Sequence, residues 1–178
     1  MIYTCTIDTP LGKMTASGEE GALTGLWFVG QKHYPQVAVW QTAAWQTTGW
    51  QDTPDYPLFE ALRTWLKEYF AGGNPRENGS ELPLLLRGTA FQEVVWELLR
   101  GIRRGETATY GGIAKQAAEK QGRPVSSPRA VGSAVARNPI SILIPCHRVV
   151  GASGELTGYA GGLERKRALL DLESSARG

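Results

Sequence analysis

Cysteine and histidine are scarce in this chain: two of each in 178 residues, Cys5, Cys146, His33 and His147. Two cysteines are too few for the disulfide framework of a small secreted domain, so both read as free thiols. The same scarcity removes the repeated Cys/His spacing of a closed zinc site, and no required metal is expected. Long apolar runs are missing too. None approaches the roughly 20 residues that span a bilayer, which argues against a membrane protein. The opening MIYTCTIDTPLGKM has neither a basic leader nor an apolar stretch ending in a cleavage site, and the expected location is the cytoplasm. There are no low-complexity tracts. With 42% apolar and 20% charged residues, the chain reads as globular and long enough for one core or for two small lobes sharing an interface.

Charge is unevenly spread. Residues 1–88 hold 6 Lys/Arg against 9 Asp/Glu, a balance of −3, and residues 89–178 hold 13 against 8, a balance of +5. The second half is therefore the candidate for meeting a polyanion, although ordinary solvated charge gives the same count.

The expected architecture is α/β (α+β): a small N-terminal antiparallel-sheet lobe with one helix, and a mostly helical C-terminal domain. Strands are predicted over residues 2–7, 13–17 and 23–29, with turns at Pro10, Gly12 and residues 18–21. Residues 30–53, rich in Gln and Trp (Trp40, Trp45, Trp50), have no clean periodicity and are left unassigned. A helix follows, with Pro57 in its first turn, Leu58, Leu62, Trp65, Leu66, Tyr69 and Phe70 on one face, and Gly72 at its end. The run GGNPRENGSELP, residues 72–83, has linker composition, which places the boundary near residue 88 and gives domains 1–88 and 89–178.

In the second half, Thr89 and Gln92 have capping-box spacing ahead of a helical face made by Phe91, Val94, Val95, Leu98 and Leu99. Another helix is predicted from Thr109 or Tyr110 through Ile113 and Ala117. A third has Ser127 as its cap, Pro128 at its first position and residues 129–137 as its body. These last two are the elements of a helix-turn-helix, a pairing that many helical domains also contain.

The segment NPISILIPCHRVVG, residues 138–151, carries the chemistry. Residues 140–144 form a short apolar run, and Pro145 ends it immediately before Cys146 and His147. A free thiol with a pKa of about 8.5 is only a few per cent thiolate at neutral pH. A nearby histidine can take its proton, and a carboxylate can fix that histidine's tautomer. By itself a Cys-His pair is more often a buried small side chain beside a packed imidazole.

Three stretches taken together carry more. FQEVVWELLRGIRRGETATYGGIA (residues 91–114), the PCHRV segment and GYAGGLERKRALLDLE (residues 158–173) closely resemble the O6-alkylguanine-DNA alkyltransferase family, the methylated-DNA–protein-cysteine methyltransferases. The likeness runs over residues 89–173, whereas the N-terminal half resembles the family only in general plan. It implies that Cys146 accepts an alkyl group from O6-alkylguanine in double-stranded DNA, and O4-alkylthymine as a further substrate. His147 would be the base, acting through a water, and Glu173 the carboxylate that orients it. Tyr110 would hydrogen-bond N3 of guanine and Tyr159 would form the pocket wall. The Ala160 N–H would face O6, the carbonyls of Cys146 and Val149 would accept from the exocyclic amine, and Arg148 joins the substrate-binding set. Asn138 would brace the turn.

For DNA, the likeness makes Arg129 a finger that fills the space left by a flipped nucleotide. Residues 129–139 become the recognition helix, where Ala130, Gly132, Ser133 and Ala134 permit close approach to a minor groove only ~6 Å wide. Without the likeness, small residues read equally well as a helix-packing face. Arg137, Arg103, Arg104, Lys115 and Arg123 are the expected phosphate contacts. Residues 119–128 make a longer connection than the family's usual one. No cofactor is implied, because the substrate carries its own leaving group. A monomer is expected, with cooperativity on DNA left open. Transfer leaves a thioether, which has no carbonyl for water to attack, so a single turnover follows from the bond formed. A cysteine hydrolase would instead turn over and would need an oxyanion hole; a non-catalytic DNA-binding protein would not need Cys146. The basic half and the implied DNA partner predict that duplex affinity falls as salt rises, a slope measurable by fluorescence anisotropy titrations.

Overall fold

The computed structural model describes residues 1–35, 50–76 and 81–175. Strand β1 (Ile2–Thr9) turns tightly into β2 (Gly12–Glu19), which continues into β3 (Ala22–Phe28), all antiparallel. Period-two alternation puts Ile7, Met14 and Phe28 in one cross-strand row and Cys5, Ala16 and Leu26 in the next, all buried on one face. The unassigned stretch supplies one more element, β4 (Trp50–Asp52), which pairs in parallel with β1 and gives the order β3-β2-β1-β4. Trp40 and Trp45 lie outside the described residues.

Helix α1 (Pro57–Phe70) starts on Pro57 as predicted and covers the sheet with Phe59, Leu62, Trp65, Leu66 and Tyr69. Its stripe is rotated slightly from the expected one: Phe59 is buried, while Leu58 and Phe70 are only partly covered.

In the C-terminal half, α2 (Ala90–Arg100) is opened by the predicted capping box, in which Thr89 Oγ1 accepts from Gln92 N at 3.2 Å and Gln92 Oε1 accepts from Thr89 N at 2.9 Å. Helix α3 (Tyr110–Lys120) is capped by Thr109. Helix α4 (Pro128–Ala136) is capped by Ser127, whose hydroxyl accepts from the N–H of Arg129 and Ala130. The three helices pack on one another, and Trp96 Nε1 donates to the Ala134 carbonyl at 2.9 Å, tying α2 to α4. Two strands too short to leave a periodic signal, β5 (Ala108–Thr109) and β6 (Val149–Val150), pair in parallel. Helix α5 (Leu163–Ser175) ends the described chain.

The lobes share a single hydrophobic core. The outer edge of β3 would be an open template for strand pairing. Two segments close it: Leu23 bonds to Pro83 and Leu85, and Leu26 bonds to Pro139 and Ser141. Residues 140–144, the short apolar run before Pro145, are buried and form a tight turn. Ile144 N donates to the Ile140 carbonyl at 3.0 Å, and Ile142 sits at φ 72°. A β-branched residue in that region costs on the order of 1–3 kcal/mol and persists only where its surroundings dictate it. The N-terminal sheet edge supplies those surroundings.

The capping box predicts that Thr89→Ala lowers unfolding free energy by about 1 kcal/mol, read from urea denaturation.

Candidate active site and nucleic-acid interface

After the buried turn, Pro145 leads into a single 3-10 turn, Cys146–Arg148, whose three side chains are all buried. Asn138 braces this approach. Its Nδ2 donates to the Ile144 carbonyl at 2.7 Å, its Oδ1 accepts from Ile140 N at 3.0 Å, and its amide also faces the Cys146 sulfur. Cys146 is 3% exposed. Burial raises its pKa above the ordinary thiol value, whereas Asn138, the Lys166 charge and the N–H groups of Cys146 and His147 pull the other way. These partners favour the thiolate in a place where desolvation opposes it. At Cys5 in β1 the balance goes the other way: burial pushes its thiol up to about 11, and the opposing pull of the Arg63 charge, itself countered by Asp52, is outweighed.

Behind the thiol lies a charged network centred on Glu173, which is 1% exposed. Its Oε1 takes His147 Nε2 at 2.7 Å, the Tyr69 hydroxyl at 2.7 Å and Arg148 Nη2 at 2.9 Å, while Oε2 takes Arg148 Nε at 2.9 Å. Burial alone would protonate Glu173, but the His147 ring and Arg148 outweigh it and hold the carboxyl well below the usual range. An ionised carboxylate only accepts, so Nε2 of His147 carries a proton and, in the neutral ring, Nδ1 is the acceptor. Nδ1 is buried with no hydrogen-bond partner among the described residues. Burial also lowers the His147 pKa, against the pull of Glu173, which favours the neutral ring.

Arg148 is a correction. Expected among the substrate-binding residues, its guanidinium is instead buried, doubly bonded to Glu173 and donating to the Ile102 carbonyl. Lys166 was not anticipated at all. It is fully buried on α5, and its ammonium donates to the carbonyls of Val149, Thr157 and Gly158, fixing the loop before α5 beside the thiol. The carbonyls expected to read guanine's amine already have donors, Val149 N–H on Cys146 and Lys166 on Val149, each leaving one lone pair.

Tyr110, at the start of α3, donates to the carbonyl of Thr157 at 3.1 Å and approaches that of Gly158 at 3.4 Å. Tyr159 is more deeply set than a wall. Its hydroxyl is buried without a hydrogen-bond partner among the described residues and lies in the fields of Cys146, Tyr69 and Glu173. Gly161 permits this: a Cβ there would stand 2.7 Å from the Tyr159 ring and 3.1 Å from Phe28. The loop is fastened to the N-terminal lobe through Lys32 N to the Ala160 carbonyl and Arg165 Nε to the Leu11 carbonyl. The thiol is thus almost inaccessible, with the Tyr159 hydroxyl near enough to interact with it electrostatically.

Residues 1–86 match the 6-O-methylguanine DNA methyltransferase, ribonuclease-like domain, and residues 90–175 match the 6-O-methylguanine DNA methyltransferase, DNA binding domain. The methylated-DNA–protein-cysteine methyltransferase of Mycobacterium tuberculosis is 45% identical over 175 residues, covering 98% of this chain and 94% of that protein. The Methanosarcina acetivorans protein of the same name is 39% identical over 175 residues, covering 98% and 99%. This chain belongs to the 6-O-methylguanine DNA methyltransferase family. The crystal structure of Mycobacterium tuberculosis OGT in complex with DNA superposes with a TM-score of 0.80 at 42% identity, over 98% of this chain and 94% of that one.

As a member of that family the chain is a DNA-binding methyltransferase of DNA repair, and its basic half presents a suitable face. On α4, Val131, Ala134 and Val135 point inward, while Arg129, Ala130, Ser133 and the C-cap Arg137 are exposed and Gly132 is half-covered. The small residues at 130, 132 and 133 therefore line a face open to solvent rather than a helix-packing seam. Ala134 is the exception, buried against Trp96. Arg103, Lys115 and Arg123 are exposed on the same domain. Arg104 is not available to phosphate: its guanidinium nitrogens are buried, and its Cζ lies 4.7 Å from the centre of the Tyr69 ring. Among the described residues, no group of three or more His, Cys, Asp or Glu side chains could hold a metal, and no helix is long and apolar enough to cross a membrane.

Sequence reasoning treated Tyr69 as core and left Lys166 unnoticed. The available signal for Lys166 was its spacing with Leu169 and Glu173, three and seven residues on, which marks one buried face of an otherwise charged helix.

The lowered pKa of His147 has a definite sign in stability. Unfolded chains take up the proton first, near pH 6.5, so unfolding free energy falls as pH drops through that value, and Glu173 adds a further loss in stronger acid. Denaturant titrations at pH 7, 6 and 5 are expected to show this decline in the native sequence and a shallower one in His147→Gln.

Proposed function

We propose that this protein reverses DNA alkylation directly, turning an O6-alkylguanine nucleotide out through the minor groove and moving its alkyl group onto Cys146 in one irreversible turnover. O4-alkylthymine is the second substrate, and the chain acts as a monomer in the cytoplasm. The observation that carries this reading is the buried series of nucleophile, base and carboxylate, Cys146, His147 and Glu173, joined through Asn138 to the end of an exposed arginine-bearing helix.

The duplex docks on α4. Arg129 enters the stack where the damaged nucleotide leaves, an extrusion that costs a few kcal/mol. The loop bearing Tyr159 must withdraw to admit the base, which brings Ala160 N–H, Tyr110 and the carbonyls of Cys146 and Val149 to its edges. The thiol proton passes through a water to His147 Nδ1, and Glu173 steadies the imidazolium. The thiolate sulfur attacks the alkyl carbon and an S–C bond forms as the C–O6 bond breaks. The electron pair stays on guanine, where Tyr110 donates to N3 and offsets the developing charge. Lys166, close to the sulfur, favours the thiolate from which attack occurs.

Incubation with duplex DNA carrying labelled O6-methylguanine should place label on the Cys146 peptide at no more than about one group per molecule, since the thioether is not cleaved. Cys146→Ser should acquire none; label on Cys5 or repeated turnover contradicts the reading. Arg129→Ala should slow repair of duplex DNA far more than reaction with free O6-benzylguanine, and equal losses would remove the finger role.

A further inference from the structure

The N-terminal lobe reaches the candidate chemistry through the Tyr69 hydroxyl. Tyr69 lies near the end of α1, is 1% exposed, and projects its hydroxyl across the lobe interface to Glu173 Oε1 at 2.7 Å. That oxygen is the one that also holds His147 Nε2. The Tyr69 ring is fixed from several sides: Trp65 stacks on it at 5.4 Å between centroids, Phe70 meets it edge-on at 5.2 Å, and the Arg104 guanidinium stands 4.7 Å from its centre. Packing alone would be served by phenylalanine. A buried hydroxyl on a buried carboxylate is a specific commitment.

We infer that Tyr69 is a positioning residue for alkyl transfer: by donating to the carboxylate oxygen that orients His147, it sets how strongly Glu173 holds the imidazole, and so ties the base to the docking of the two lobes. The inference rests on His147 acting as the base. Each donor on Glu173 draws charge from it and weakens its hold on an imidazolium. With Tyr69 and Arg148 in place, His147 stays neutral at physiological pH and can accept a proton. Without the Tyr69 hydroxyl, Glu173 pulls harder and His147 remains protonated to higher pH. The other charged or titratable groups in this neighbourhood are Arg148 on the same carboxylate, Arg104 on the Tyr69 ring, Lys166 from α5, and Cys146 and Tyr159 on the thiol side. Tyr69→Phe changes none of these residues, keeps the ring and leaves Glu173 three donor atoms, from His147 and Arg148.

The test measures the His147 titration by NMR of the imidazole nitrogens, in the unreacted protein, together with the pH profile of transfer from O6-methylguanine DNA. In Tyr69→Phe the His147 midpoint should rise by roughly 0.5–1 pH unit, the size expected for one hydrogen bond, and the acid limb of the rate profile should move up with it. Tyr56→Phe, the same change at the other end of α1, should leave both in place. An unmoved His147 midpoint in a folded Tyr69→Phe protein overturns the inference. Since the titration needs no alkyl transfer, an inactive native protein would count against the function proposed above and not against this coupling.

Discussion

A single ionised carboxylate in the protein interior governs this structure. Glu173 is nearly inaccessible to water, and an ion buried in that way costs several kcal/mol unless hydrogen bonds and opposite charge replace its hydration. Four donated bonds from three residues make the replacement, from Tyr69 on α1 and from His147 and Arg148 in the turn after Pro145, and Arg148 also donates to the Ile102 carbonyl just beyond α2. Elements that would otherwise only pack are therefore held in register by a polar requirement. The same requirement fixes the tautomer of His147 and leaves its second nitrogen, in the neutral ring, as an acceptor.

The sheet serves the site from the opposite direction. The edge of β3 accepts the segment that leads to Cys146 and the segment that enters the C-terminal half, so the strained turn at Ile142 is held against a sheet edge. The neighbouring loop, which carries Tyr159, is tied to the same lobe at Lys32 and Leu11. The N-terminal half thus acts as the wall against which the reactive segment and its cover are built, although its surface lacks the basic excess of the other half.

Local signals were legible where a short stretch of chain specifies its own structure. The Thr89–Gln92 capping box and Ser127 mark helix starts because the orphan N–H groups they satisfy lie within three residues, and Pro57 and Pro128 do so because the N–H they lack is one that a helix start leaves unpaired. The strand pairs β5–β6 and β1–β4 were not legible, since two or three residues carry no period and their partners lie some forty residues or more away. Arg104 and Arg148 were misread for a related reason. An arginine counts as surface charge until its counterpart is known, and the counterparts here are a tyrosine ring on α1 and a carboxylate on α5.

By itself, then, the sequence determined the chemistry on offer: a free thiol before a histidine, ahead of a basic helical half, in a pattern shared with one family of DNA repair proteins. Only the tertiary structure decided which charged and hydroxyl-bearing side chains leave water, and hence which of them bear on that thiol. Tyr69 and Glu173 stand 104 positions apart, and nothing in the neighbourhood of either announces the other. Burial is a property of the assembled molecule, and the strength of a charge or a hydrogen bond depends on the water removed around it.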